Sequence, residues 1–165
     1  MGAESVTVCF TGNPNCGKTT LFNAYTGAGK KTANWPGVTV ELSEGSLMHR
    51  GRPVRLVDTP GIYSLDPYTM EETVTRQCIR DQKADVIIHV ADALLLERSL
   101  FLTMQLLAEG RPMVLALNMM DLVRERGMDI DIGRLSGLLG GIPVIPVSAR
   151  RRTGLEELMD VAVEA

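Results

Sequence analysis

No apolar stretch in this sequence approaches the ~20 residues needed to cross a bilayer. The longest, near Val86 to Ala91 and Met113 to Leu117, have the length of buried strands. The first residues, Met1-Gly2-Ala3-Glu4-Ser5, run straight into a strand-like segment without the basic flank and apolar core of a signal peptide. The expected compartment is therefore the one of synthesis, the cytosol. Three cysteines, Cys9, Cys16 and Cys78, are odd in number and lack metal-ligand spacing, so neither a disulfide framework nor a zinc site is suggested. Cys9 and Cys78 read as small buried hydrophobes. The net charge of −3, from 17 basic and 20 acidic side chains, gives no footprint for nucleic acid. Internal repeats, low-complexity tracts and linkers are also missing. What remains is one globular domain of 165 residues, 45% hydrophobic and 22% charged, with an expected radius of gyration of roughly 15 Å.

Short β-branched runs alternate with helical patterns along the chain. Val6 to Phe10, Val38 to Leu47, Val54 to Val57, Val86 to Val90, Met113 to Leu117 and Val144 to Val147 read as six strands. Helical spacing appears in Gly17 to Tyr25, Glu71 to Gln82, Leu96 to Glu109, Ile130 to Leu139 and Leu155 to Val163, with Leu96, Leu100, Met104 and Leu107 as the clearest stripe. Alternation of this kind predicts an α/β domain, a mostly parallel sheet with helices on both faces. One strand pair, joined through His49-Arg50-Gly51-Arg52, predicts an antiparallel hairpin. Thr26 to Gly37 lacks periodicity and reads as a long functional loop.

The residues that carry chemistry lie at the strand ends. Gly12-Asn13-Pro14-Asn15-Cys16-Gly17-Lys18-Thr19 follows a strand and opens a helix, as a phosphate loop requires. Its glycines let backbone approach phosphate, Lys18 reaches the β- and γ-phosphates, and the Thr19 hydroxyl binds Mg2+; Thr20 follows as a further contact. Asp58-Thr59-Pro60-Gly61 closes a strand, with Asp58 expected to hold Mg2+ through water and the Gly61 N–H to touch the γ-phosphate. Thr39, where a loop becomes a strand, is a candidate to complete the Mg2+ shell. Asn118-Met119-Met120-Asp121 ends another strand, where a carboxylate at Asp121 can accept both N1–H and the exocyclic amine of guanine. Ser148-Ala149-Arg150 follows the last strand and offers backbone N–H to the guanine carbonyl. Adenine presents the wrong pattern for this set. His49 reads as a solvated turn residue, His89 as a satisfied core histidine, and Arg150-Arg151-Arg152 as solvated surface.

These motifs, in this order, resemble those of the small GTPase superfamily. Gly12 to Asn23, Asn34-Trp35-Pro36-Gly37-Val38-Thr39-Val40-Glu41, Pro60 to Leu65, Leu96 to Leu100 and Leu117 to Asp121 resemble more narrowly the G domain of FeoB, a family of bacterial ferrous iron transporters, over almost the whole chain. The resemblance implies a Ras-like P-loop NTPase fold with a six-stranded, mostly parallel sheet and one antiparallel hairpin strand. It implies GTP and GDP as ligands and a hydrolase, with Lys18, Thr39, Asn15 and Gly61 as catalytic candidates. Thr26 to Glu41 and Gly61 to about Cys78 would be the two switch regions. It further implies a parent protein with helical and membrane domains beyond this stretch, no membrane insertion by the stretch itself, a place on the cytoplasmic face of the inner membrane, and oligomers through the parent.

Ile62 stands where Ras-like enzymes place a water-orienting glutamine, and no arginine lies between Lys18 and Thr39, so slow turnover is expected. The resemblance offers K+ in place of an arginine finger, held by Asn15 and by first-switch carbonyls such as that of Trp35. Met119 replaces a lysine whose stem would cover the base, so weak affinity and fast GDP release are expected. Cys16 and Thr59 also depart from the commoner Ser and Leu without touching a proposed ligand. Two other readings remain open: a soluble GTPase of ribosome assembly or transfer-RNA modification, and a guanine-nucleotide sensor that does not hydrolyse. The phosphate-loop assignment predicts that Lys18→Ala abolishes tight triphosphate binding; retained binding, measured by calorimetry, removes the assignment.

Overall fold

The computed structural model describes residues 4–81 and 84–165. Met1 to Ala3, at the start of the chain, and Gln82, the expected end of one helix, lie outside the described residues.

Seven strands form one sheet: β1 (Val6–Gly12), β2 (Lys31–Asn34), β3 (Glu41–His49), β4 (Arg52–Asp58), β5 (Val86–Asp92), β6 (Met113–Asn118) and β7 (Val144–Pro146), in the spatial order β2-β3-β4-β1-β5-β6-β7. β4, β1, β5, β6 and β7 are parallel, and β3 runs antiparallel to both β4 and β2. Among the described residues six α-helices complete the fold: α1 (Lys18–Thr26), α2 (Met70–Asp81), α3 (Leu96–Ala108), α4 (Met120–Glu125), α5 (Ile132–Leu138) and α6 (Leu155–Glu164).

Side chains alternate across each strand, so one sequence serves two cores. Val8, Phe10, Ile88, Val90 and Ala116 face α1 and α6, where they meet Leu21, Phe22, Leu158 and Met159. Ile87, Leu115 and Leu117 point the other way, toward Leu102 and Leu106 of α3 and Val123, Leu135 and Leu139 farther along. Each fully buried Leu or Ile removes enough apolar surface to contribute about 1.5–3 kcal/mol. Cys9 and Cys78 are buried beside Val57 and Ala84 as reduced thiols. Hydrogen bonding to Cys78, then burial, holds the Cys9 thiol well above its ordinary range.

The structure corrects several expectations about the elements. The sheet has a seventh strand, β2, because Lys31–Asn34 pairs with β3 through backbone and one hydroxyl contact, Thr32 Oγ1 to Ser43 Oγ at 2.8 Å; all four side chains are exposed, so no apolar alternation announces it. Strand β3 begins at Glu41 rather than Val38, since Trp35 N–H donates to the Val40 carbonyl at 2.7 Å and closes a turn ahead of it. The six-residue α4 lies outside the five expected helical stretches. The buried stripe of α3 is Ser99, Leu102, Thr103 and Leu106, while Met104 is 57% exposed and Leu96, Leu100 and Leu107 are half-buried. Apolar residues surround this helix almost completely, so periodicity does not choose a face. Thr103 turns inward because its hydroxyl donates to the Ser99 carbonyl at 3.0 Å and lies 2.8 Å from His89 Nε2.

The β3–β4 hairpin forms as expected. Its two-residue turn places Arg50 at φ 49 and Gly51 at φ 78, the left-handed pair that matches the twist of flanking strands. His49 is not a solvated turn residue: Nε2 lies 2.5 Å from Asp160 Oδ1, and Arg50 Nε donates to the same oxygen at 2.6 Å, fastening the hairpin to α6. These contacts, with hydrogen bonding from Arg50 foremost, lower the Asp160 carboxyl.

His89 is buried in β5, and burial pushes its imidazole down to about 4. The unfolded chain binds a proton near pH 6.5 that the native state refuses, so stability falls as pH drops from about 6.5 toward 4. His89→Leu should remove a component of about 3 kcal/mol from the loss between pH 7 and pH 4; urea titrations of both proteins at the two pH values measure it.

Candidate functional site

Strand β1 leaves the sheet where the connections change direction, with β4 on one side and β5 on the other, and crevices at such points lie outside the carboxyl ends of strands. The chain turns there from Gly12 to Lys18 through two left-handed residues, Asn15 at φ 65 and Gly17 at φ 86. A Cβ on Gly12 would stand 2.7 Å from the Val90 carbonyl oxygen, so only glycine lets this turn lie against β5. Helix α1 begins without a side-chain cap, leaving its first N–H groups and positive dipole end for an anion. A cavity of about 350 Å³ opens here, lined by Asn13, Pro14, Asn15, Gly17, Lys18, Thr19, Thr20 and Gly61. Lys18 is buried, and its ammonium donates at 2.5 Å to both Asp58 Oδ1 and the Thr59 carbonyl. Thr19 Oγ1 donates to the other Asp58 oxygen at 3.2 Å. Cys16 is buried beneath the loop, and its thiol is raised by burial.

A second cavity, of about 150 Å³, continues from the first: Gly17 and Thr20 line both, and Asn118, Met119, Asp121, Leu122, Ser148, Ala149 and Arg150 close its far end. One buried amide organises the join. Asn118 Nδ2 donates to the Cys16 carbonyl at 3.0 Å, and its Oδ1 accepts the Ala149 N–H at 3.0 Å, tying the ends of β1, β6 and β7 together. Gly17 accommodates it, since a Cβ there would stand 2.3 Å from Asn118 Nδ2. Met119 takes φ 67 to start α4, which brings Asp121 to the cavity wall. Asp121 Oδ2 is 3.3 Å from Arg151 Nε, an ion pair without hydrogen-bond alignment. The expected solvated run of arginines is instead tied down in part: Arg151 also donates to Glu125 at 2.7 Å, and Arg152 to the Ala24 carbonyl at 3.1 Å.

Gly61 packs against the loop, where an added Cβ would meet Pro14 Cα at 3.0 Å, and the next amide, Ile62 N–H, donates to the Gly12 carbonyl at 3.0 Å. The Ile62 side chain is buried among Leu65, Ile79 and Leu102, so it anchors this stretch and cannot orient water. The first expected switch is elsewhere. Thr39 is exposed in the turn between β2 and β3, and Trp35 lines a separate cavity with Leu42 and Val57; neither lines the cavity at the phosphate loop. Unanticipated neighbours come from α3: Asn13 Nδ2 donates to the Arg98 carbonyl at 3.4 Å, and the Arg98 guanidinium lies 5.0 Å from the Tyr63 ring centre. The sequence held no local signal for that contact beyond the Leu96-Glu97-Arg98-Ser99-Leu100 string.

Comparison with known proteins fits this geometry. A family model described as Ferrous iron transport protein B matches residues 6–162. The chain belongs to the FeoB family. It is 46% identical over 151 residues to the Fe(2+) transporter FeoB of Legionella pneumophila (strain Paris), covering 89% of this chain and 20% of the relative. It is 43% identical over 159 residues to an Fe(2+) transport protein A/FeoB fusion protein of Porphyromonas gingivalis, covering 96% and 19%. The chain thus spans about one fifth of the length of the curated relatives it matches. Among solved structures, the cytosolic domain of T. maritima FeoB in GDP form superposes with a TM-score of 0.94 at 41% identity, covering 99% of this chain and 64% of that one. The GMPPNP form of the same domain gives 0.93 at 42% identity, covering 96% and 63%. FeoB membership carries the P-loop GTPase fold, an α/β domain with a mostly parallel sheet, one antiparallel hairpin and helices.

Asn118→Ala removes two buried hydrogen bonds and leaves the Cys16 carbonyl and Ala149 N–H without that partner. The expected cost is about 2–3 kcal/mol of stability, read as a lowered urea midpoint with unchanged m-value.

Proposed function

We propose that this chain binds GTP and GDP and hydrolyses GTP, as the regulatory G domain of a longer ferrous iron transporter, on the cytoplasmic side of the membrane. The observation that carries the reading is the continuous groove: an anion-ready loop at one end, a carboxylate-walled cavity at the other, and Gly17 and Thr20 shared between them. Solved relatives named as bound to GDP or in a GMPPNP form support the same ligands. No helix among the described residues is long and apolar enough to cross a membrane, so movement of iron would belong to other parts of a parent protein.

Each residue then has a task. The loop amides and the start of α1 bind the phosphates, and an arriving triphosphate competes with Asp58 and the Thr59 carbonyl for the Lys18 ammonium. Asp121 selects guanine by accepting two N–H groups, and Ala149 N–H, with Ser148 and Arg150 beside it, stands where it can meet the base carbonyl. Thr19 and Asp58 supply a hydroxyl and a carboxylate within 3.2 Å of each other. That hard-oxygen set fits Mg2+, which takes few protein ligands and completes its shell with phosphate and water. Among the described residues no cluster of His, Cys, Asp or Glu could hold a metal without such help. When bound, Mg2+ would neutralise charge developing on the phosphate oxygens. The buried Ile62 leaves water positioning to backbone amides near Gly61, which supports slow turnover.

Two further ligands need the β2–β3 turn to move. Thr39 would join the Mg2+ shell only by leaving its exposed position. For K+, Asn15 is exposed on the loop, but the Trp35 carbonyl accepts Val38 N–H at 3.1 Å within its own turn, so the two donors are not assembled. Activation by K+ is therefore proposed on Asn15 and on the missing glutamine, without a step assigned to the ion.

Calorimetry with GTP, GDP and ATP tests the ligand assignment, and single-turnover phosphate release in K+ and Na+ buffers tests the reaction. Binding of both guanine nucleotides over ATP, with release faster in K+, is expected. Preference for ATP sinks the ligand reading, binding without release leaves a sensor, and equal rates in the two salts remove K+.

A further inference from the structure

Helix α3 reaches the stretch after Gly61 from two side chains about two turns apart. Arg98 stacks its guanidinium on Tyr63 at 5.0 Å. Gln105 accepts the Leu65 N–H at 2.6 Å and donates to Asp66 Oδ1 at 3.3 Å. A seven-residue interval places both on one helix face. The helix is held in turn, by Asn13 on the Arg98 carbonyl and by the contact between His89 and Thr103. Between the two α3 contacts and the phosphate loop stands Ile62, its side chain buried and its N–H on Gly12. The backbone from Gly61 to Asp66 is thus pinned at both ends, to the loop and to α3.

We infer that Arg98 and Gln105 are positioning residues for hydrolysis: by fixing Tyr63, Leu65 and Asp66 on α3, they hold the Gly61 and Ile62 amides at the spacing from the phosphate loop that the reaction requires. The inference rests on the GTPase reading above. Neither side chain lines the cavity that Lys18, Thr19 and Gly61 line; Arg98 and Tyr63 line a neighbouring one with Asn13 to Cys16, so both are placed to act through the backbone they hold. Arg98 contributes a planar cation over a ring face, which lysine reproduces only as a point charge. Gln105 needs both halves of its amide, since glutamate would keep the acceptor for Leu65 while facing Asp66 with a like charge.

The test compares the unaltered chain with Arg98→Ala, Gln105→Ala and the double variant. Three quantities are read: single-turnover GTP hydrolysis, GDP affinity, and hydrogen exchange of the Ile62 amide, whose acceptor is Gly12 and neither altered side chain. Displacement of a catalytic group by an ångström costs up to about 100-fold, and partial loosening here should slow hydrolysis ~10-fold in the double variant. Ile62 exchange should rise ~10-fold, with GDP affinity unchanged. Arg98→Lys should recover only part of the rate lost in Arg98→Ala. A wild-type hydrolysis rate or wild-type Ile62 exchange in the double variant overturns the inference. So does a fall in GDP affinity that parallels the rate, because that marks general damage; the single variants carry the same test if the double variant does not fold. An unaltered chain that binds GDP but does not turn over GTP defeats the underlying GTPase reading instead, and is recognised before any variant is compared.

Discussion

The side-chain amide of Asn118 is the contact on which the site depends. Its two hydrogen bonds, to the Cys16 carbonyl and the Ala149 N–H, join three separate strand-end loops that share no chain continuity. Parallel strands make this possible, because β1, β6 and β7 all deliver their carboxyl ends to one edge of the sheet. A buried amide satisfied on both sides costs little to hold and much to disturb. It therefore sets the spacing between the loop end and the Asp121 end of the groove. Gly17 exists in its left-handed conformation partly to leave room for that amide.

Around this join the two stretches expected to be switches are held very differently. The stretch after Gly61 is stapled inward by Ile62 and outward to α3 by Tyr63, Leu65 and Asp66. The stretch before β3 is attached chiefly by backbone pairing of an exposed strand and by a turn closed on itself. Few buried side chains oppose its movement, and such edges are the low-stability parts of a domain.

Much of this was legible in the residues. The phosphate loop, the Asp58 turn and the two base-side motifs each announce themselves because their chemistry needs particular residue types at short spacing, and the structure brings Asn13 to Asn15, Gly17 to Thr20, Gly61, Asn118, Met119, Asp121 and Ser148 to Arg150 onto one groove. The parallel strands were legible from their apolar runs. Strand β2 was not, because a strand exposed on every side chain has no period-two pattern. The inward face of α3 was not, because hydroxyls at Ser99 and Thr103 became core residues only once a neighbouring strand offered His89 and the helix its own carbonyls.

By itself the sequence determined which chemistry is available: a lysine and glycines suited to phosphate, a carboxylate able to accept two N–H groups, and an isoleucine where Ras-like enzymes place a glutamine. Those properties belong to side chains and to local turns, which short spacing specifies. Only the tertiary structure decided which of them meet. Lys18 with Asp58, Asn118 with Cys16 and Ala149, and Arg98 with Tyr63 are separated along the chain by 40, 102, 31 and 35 residues respectively. Such contacts are set by strand order and helix packing, properties of the whole fold that no local pattern encodes.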